Sequence, residues 1–61
     1  SAGELIRSRV VLEAKRLLVN KEISVTEIAY LLNFQDASYF VKFFKKYTEF
    51  TPEQFRKQYY K

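Results

Sequence analysis

The stretch Ile23 to Arg56 decides the fold: I-S-V-T-E-I-A-Y-L-L-N-F-Q-D-A-S-Y-F-V-K-F-F-K-K-Y-T-E-F-T-P-E-Q-F-R. It contains three helix starts. Ser24 with Glu27 three residues on is a capping box, and Ile23 with Ile28 is the hydrophobic staple that accompanies one. Asp36 is the N-cap of a second helix. Thr51, Pro52 and Gln54 supply an N-cap, an N1 proline and an N3 glutamine for a third, and Phe50 with Phe55 is its staple.

Between these starts the apolar spacing is helical. In the first helix Ile28, Leu31 and Leu32 are expected to face inward, with the small Ala29 where the next helix crosses. Asn33 tolerates the left-handed conformation and ends that helix, and Phe34 plugs the turn. The next helix spans about Ala37 to Tyr47. Phe40, Phe43, Phe44 and Tyr47 form its buried stripe at i, i+3, i+4 and i+7. Ser38, Lys42 and Lys45 lie around the other side, flanked by Val41 and Lys46. Arg56, Lys57 and Lys61 place positive charge near the C-terminus of the last helix, where the macrodipole favours it.

Upstream, a helix is expected from about Leu5 to Val19. Ile6, Val10, Val11, Ala14, Leu17 and Leu18 recur at helical spacing as its core face. Glu13 pairs by spacing with Arg9 and Arg16. Leu5, Leu12 and Val19, seven residues apart, form a second stripe on the opposite side, suited to pack against something outside this chain. Asn20-Lys21-Glu22 is a polar connection, and Ser1-Ala2-Gly3 reads as a cloning remnant or frayed end. The organisation is thus a 1–4 end, a connecting helix at 5–19 and a 20–61 unit.

Composition narrows the function. The 61 residues carry 11 Lys plus Arg against 7 Asp plus Glu, a net charge of +4, the footprint of a small basic nucleic-acid binder. There is no Cys and no His. Ser-His and Cys-His catalysis, disulfides and thiolate metal sites are therefore unavailable. Glu22, Glu27 and Asp36 lack calcium-loop spacing, and no internal glycine loop could cradle phosphate. The expectation is a non-enzyme with no catalytic residues, no metal and no cofactor. No apolar run reaches the roughly 18–20 residues of a membrane span. Without a signal-peptide pattern, a soluble, cytoplasmic, nucleoid-associated protein is expected. Base stacking would need exposed aromatics on a sheet or groove, whereas most rings here lie on a buried stripe, with Tyr30 and Tyr39 partly outside it.

The fold class that follows is all-α, a homeodomain-like helix-turn-helix bundle of about four helices. Ile28, Ala29, Leu32 and Phe34 bracket the turn. Phe40 and Phe43 come one residue later than in the shortest version of the motif, which asks for the longer turn Asn33-Phe34-Gln35-Asp36. A generic bundle with a solvated basic face is the plainer reading.

The stretches I-S-V-T-E-I-A-Y-L-L-N-F, D-A-S-Y-F-V-K-F-F-K-K and F-T-P-E-Q-F-R closely resemble the second helix-turn-helix of the AraC/XylS family of bacterial transcription regulators. E-A-K-R-L-L resembles the end of the helix joining that family's two helix-turn-helix units. The resemblance covers the chain from about Leu5. It implies the C-terminal half of a DNA-binding domain, reading double-stranded DNA with the 37–47 helix in the major groove. By resemblance, the base-contacting positions are Gln35, Ala37, Ser38, Val41 and Lys42, and the phosphate-contacting positions are Val25, Thr26, Lys45 and Lys46. The implied partners are DNA, the first helix-turn-helix unit with a sensor domain of the parent chain, and RNA polymerase. The alternative is a protein-interaction module whose basic face docks an acidic partner such as polymerase. The family usually has Gly where Asn33 and Glu49 stand, and frequently Arg where Lys42 stands. Lysine keeps the charge but lacks the bidentate fork. Glu49 carries a steric cost if its backbone is left-handed.

Overall fold

The computed structural model describes residues 2–59 as four helices: α1 (Ala2–Leu18), α2 (Val25–Leu31), α3 (Ala37–Thr48) and α4 (Pro52–Tyr59). Lys61, expected beside the end of α4, lies outside the described residues, as does Ser1. Helix α1 begins at Ala2, so residues 2–4 are helical rather than frayed. One Gly among good helix formers lowers propensity by only about 1 kcal/mol, too little to stop a helix of four more turns. It ends at Leu18, and Val19 already belongs to the turn.

The core is Ala14 and Leu18 of α1, Ile28 and Ala29 of α2, and Phe40 and Phe44 of α3, all fully buried. Val11, Leu17, Ile23, Val25, Leu32, Phe34, Ala37 and Phe55 pack around it. Helix α1 rests on α2 and α4, while α3 packs on both of them. Seventeen residues of helix are about 25 Å long, more than the body they pack on. The first turns of α1 therefore overshoot it. Ile6, expected in the core, is 63% exposed for this reason, and Leu5 (65%) and Leu12 (67%) are exposed as the second stripe anticipates. Val19 is half-buried. Of the two expected Glu13 pairs, only that with Arg16 forms, at 2.7 Å. The hydrogen bond from Arg16 holds the Glu13 carboxyl below its ordinary range.

Leu31 also departs from the inward face that its spacing predicts and is 58% exposed. Val25, Ile28, Ala29 and Leu32 supply the i, i+3, i+4, i+7 face of α2, which leaves Leu31 about a third of a turn outside it.

The turns are built by local chemistry. The Glu27 amide donates to Ser24 Oγ (3.0 Å), and the Tyr39 amide donates to Asp36 Oδ1 (2.8 Å). At α4 the capping box is complete. Gln54 N–H donates to Thr51 Oγ1 (3.1 Å), and Thr51 N–H donates to Gln54 Oε1 (2.9 Å). Helix α2 ends in a Schellman motif. Asn33 has φ 68°, Phe34 N–H donates to Ala29 O (2.9 Å), and Asn33 N–H donates to Tyr30 O (3.0 Å). The turn drops Phe34 among three rings, with centroids 5.3 Å from Phe40, 5.3 Å from Phe43 and 5.8 Å from Tyr39. Phe43 is half-buried and Tyr47 exposed, so the aromatic stripe of α3 is buried at its centre and open at one edge.

Helix α3 ends on Glu49, also left-handed at φ 68°, with its N–H on Lys45 O at 2.8 Å. Thr48 Oγ1 secures the same end, donating to Phe44 O (2.8 Å) and accepting from Phe50 N–H (3.2 Å). A non-glycine residue held there costs about 1–2 kcal/mol, partly offset by the greater unfolded-state entropy of glycine. Glu49→Gly is therefore expected to stabilise the chain by about 0.5–1 kcal/mol, raising the melting temperature a few degrees. A thermal melt followed by circular dichroism checks this, and an unchanged or lowered midpoint contradicts it.

Candidate nucleic-acid interface

The Schellman turn carries the chain from α2 into α3 so that the start of α2 comes to lie beside one face of α3. Helix α4 closes the third side. Together they form a concave cleft lined by Val25 and Thr26 of α2, Ala37, Ser38, Val41 and Lys42 of α3, and Glu53, Arg56 and Lys57 of α4. Six of the nine residues singled out from sequence thus meet on one surface. The other three lie elsewhere. Gln35 sits in a separate depression with Asn33, Phe34 and Tyr39. Lys46 borders another, on the far side of Lys42. Lys45 is exposed one turn beyond Val41, on the same side of α3.

The α3 wall of the cleft is small at its start, with Ala37, Ser38 and Val41, and cationic further along, with Lys42 and Lys45. Small side chains let a helix approach a partner closely, and the lysines flank that approach. No ion pair to Lys42 or Lys45 forms among the described residues, so their charge is available to an outside anion. The acidic group in the cleft is Glu53.

The sequence sets Arg56 and Lys57 as charges complementing the C-terminus of α4 itself, but Arg56 serves another helix. Its guanidinium is not spent on solvent or on its own helix. Nε donates to Leu18 O at 2.9 Å, and Nη2 donates to Asn20 O at 3.1 Å and also to Ile23 O. Leu18 is the last residue of α1, whose terminal carbonyls have no intrahelical partners and carry the negative end of the helix dipole. Arg56 therefore caps α1 from 38 residues away and ties α4, and with it the third wall of the cleft, to the rest of the molecule. Pro52 and Arg56 are i, i+4 on α4, and the burial of Pro52 puts Arg56 on the inward face.

A hydrogen bond from a charged donor contributes about 1.5–3 kcal/mol net. Losing all three, one of them exposed to solvent, should cost about 3–5 kcal/mol. Arg56→Ala is expected to unfold the chain or lower its melting point steeply, whereas Lys57→Ala, next along the same cleft but exposed, should stay within about 0.5 kcal/mol of the parent. Equal effects of the two substitutions in a denaturant titration would contradict the clamp.

Comparison with known proteins gives one reading. A family model described as a helix-turn-helix domain matches residues 1–58. The chain is 39% identical over 54 residues to a probable transcription factor, PqrA, of Proteus vulgaris, covering 88% of this chain and 44% of that protein. It is 47% identical over 45 residues to an uncharacterised HTH-type transcriptional regulator encoded in the 5′ region of cgkA in Pseudoalteromonas carrageenovora, covering 74% and 26%. It is 40% identical over 47 residues to the uncharacterised HTH-type regulator YijO of Escherichia coli K12, covering 77% and 17%. The chain spans less than half the length of each of these relatives. No solved structure gives a significant match.

Proposed function

The chain belongs to the AraC/XylS-type helix-turn-helix family, and on that premise we propose that it reads double-stranded DNA as one half of a bacterial transcription regulator's DNA-binding domain. The observation that carries this is the shared cleft: the start of α2, one face of α3 and the inner side of α4 converge on a surface with small residues at the start of its α3 wall and lysines without ion pairs further along.

Helix α3 enters the major groove with Ala37, Ser38 and Val41 leading. Ser38 hydrogen-bonds a base edge, and the methyl groups of Ala37 and Val41 meet thymine methyls. Lys42 reaches a base acceptor or a phosphate. Gln35, outside the cleft, reads from the rim just ahead of the Asp36 cap. Lys45 and Lys46 hold the backbone, as do the amides at Val25 and Thr26, which line the cleft at the free start of α2. The work is done by positioning and charge, with no catalysis, metal or cofactor, in the bacterial cytoplasm where the DNA lies. In the parent protein, the first helix-turn-helix unit covers Leu5 and Leu12 and supplies the other half of the base contacts, alongside a sensor domain.

A single unit should bind at the non-specific scale, about 10⁻⁴ to 10⁻⁶ M at physiological salt. Two classes of substitution separate the roles. Lys45→Ala should weaken binding equally across duplex sequences and reduce the slope of log K against log salt by about 0.9, the release of counterions from one phosphate contact. Ser38→Ala or Val41→Ala should instead change preference at one or two base pairs, by about 1–3 kcal/mol each. Titration of fluorescent duplexes at several salt concentrations measures both. Absence of any DNA affinity at low salt would sink this reading. Binding to acidic protein but not to duplex would favour a protein-docking role for the same face.

A further inference from the structure

The side of α3 turned away from the cleft carries a second depression, lined by Arg7 of α1 and by Tyr39, Lys42, Phe43, Lys46 and Tyr47 of α3. Three cations converge there, and no carboxylate lines it. The Arg7 guanidinium lies 5.9 Å from the Tyr47 ring centroid, and Lys46 Nζ lies 5.9 Å from the same centroid. One ring face attracts a cation, but two cations gathered at one ring repel each other. None of Arg7, Lys42 and Lys46 is neutralised by an ion pair among the described residues. This is a seat with its positive charge assembled and its anion supplied from outside.

Two observations say which anion. Lys42 lines both this depression and the cleft, so the two surfaces are continuous around α3. The depression also runs along α3 from Tyr39 to Lys46 and Tyr47 near its C-terminus, and in three-helix readers of this architecture the end of the recognition helix runs against the sugar-phosphate backbone. A guanidinium held by an aromatic ring with its N–H fork open is suited to bidentate contact with phosphate oxygens.

We propose that Arg7, with Lys42 and Lys46, grips a backbone phosphate on the strand flanking the groove that α3 enters, which makes α1 part of the DNA interface. The proposal rests on the groove-reading role of α3 given above. Arg7 adds orientation rather than sequence choice, because phosphate contacts fix register and carry no base information.

The test is a salt series of duplex titrations with the chain, its Arg7→Ala and Arg7→Lys variants, and Arg9→Ala as a control. Arg9 is exposed on the same helix and lines neither surface. Arg7→Ala should lower the salt slope by about 0.9 and weaken binding about five- to tenfold near 0.1 M salt for every duplex sequence, as expected for one lost phosphate contact. Arg7→Lys should retain most of the slope, and Arg9→Ala should leave it unchanged. If Arg7→Ala destabilises the fold in a thermal melt, Arg7→Gln is expected to show the same loss of slope. Equal slopes for Arg7→Ala and the parent, or equal losses for Arg7→Ala and Arg9→Ala, overturn the proposal while leaving the groove-reading role of α3 intact. Loss of binding to an acidic peptide with no change in DNA binding assigns the depression to a protein partner and also overturns it. Failure of the unaltered chain to bind any duplex removes the premise and fails both readings.

Discussion

The rest of the structure depends on the fork of Arg56 closing over the carbonyls of Leu18, Asn20 and Ile23. Four helices around a core cluster of six buried residues make a small core, and a domain of about 60 residues buries only about 60% of its unfolded surface. In such a domain a helix end left without partners is a serious loss. Arg56 removes that loss at the C-terminus of α1 and uses the helix dipole in doing so. It also fixes where α4 sits, because Phe55 is at that point held against Phe44 (5.8 Å, edge to face). The position of α4 then defines one wall of the cleft.

A second constraint acts at the turn between α2 and α3. The left-handed backbone at Asn33 reverses the chain, and Phe34 then falls into the space between the helices, where it meets Phe40 and Phe43. One residue sets the direction and the next locks the crossing. The consequence for function is geometric. Val25 and Thr26, eleven or more residues before Ala37 and Ser38, come to line the same surface. A helix-turn-helix is useful because its turn is rigid, and here rigidity comes from two hydrogen bonds and three ring contacts. Helix α3 ends on the same left-handed device at Glu49, at a residue less suited to it.

Most of the fold was legible because its signals are local. A cap and its helix are three residues apart, and a buried stripe repeats every three or four. Ser24, Asp36 and Thr51 therefore marked three helix starts correctly, and Phe40 and Phe44 marked the core. The misreadings share a cause. Ile6 and Leu31 are apolar and lie near the periodic face, but periodicity cannot say where the packing partner stops. Helix α1 outruns the body it packs on, and α2 has a better-matched face one position round. The cleft was partly legible: Ala37, Ser38, Val41 and Lys42 are neighbours on one helix. Gln35 joins them only through the family resemblance; it precedes the Asp36 cap, outside the helix, and lines a different depression.

The sequence by itself determined the helices, their ends and the aromatic centre, because each is fixed by interactions within one or two turns of chain. Only the tertiary structure decided that Arg56 caps a helix 38 residues upstream, that Glu53 and Lys57 join α2 and α3 in the cleft, and that Arg7 meets Lys46 at one tyrosine ring. Those contacts depend on how the four helices are placed relative to one another. No local propensity encodes that placement. It is set by packing the whole core at once, with the two left-handed turns and the Arg56 clamp closing the ends of α1, α2 and α3.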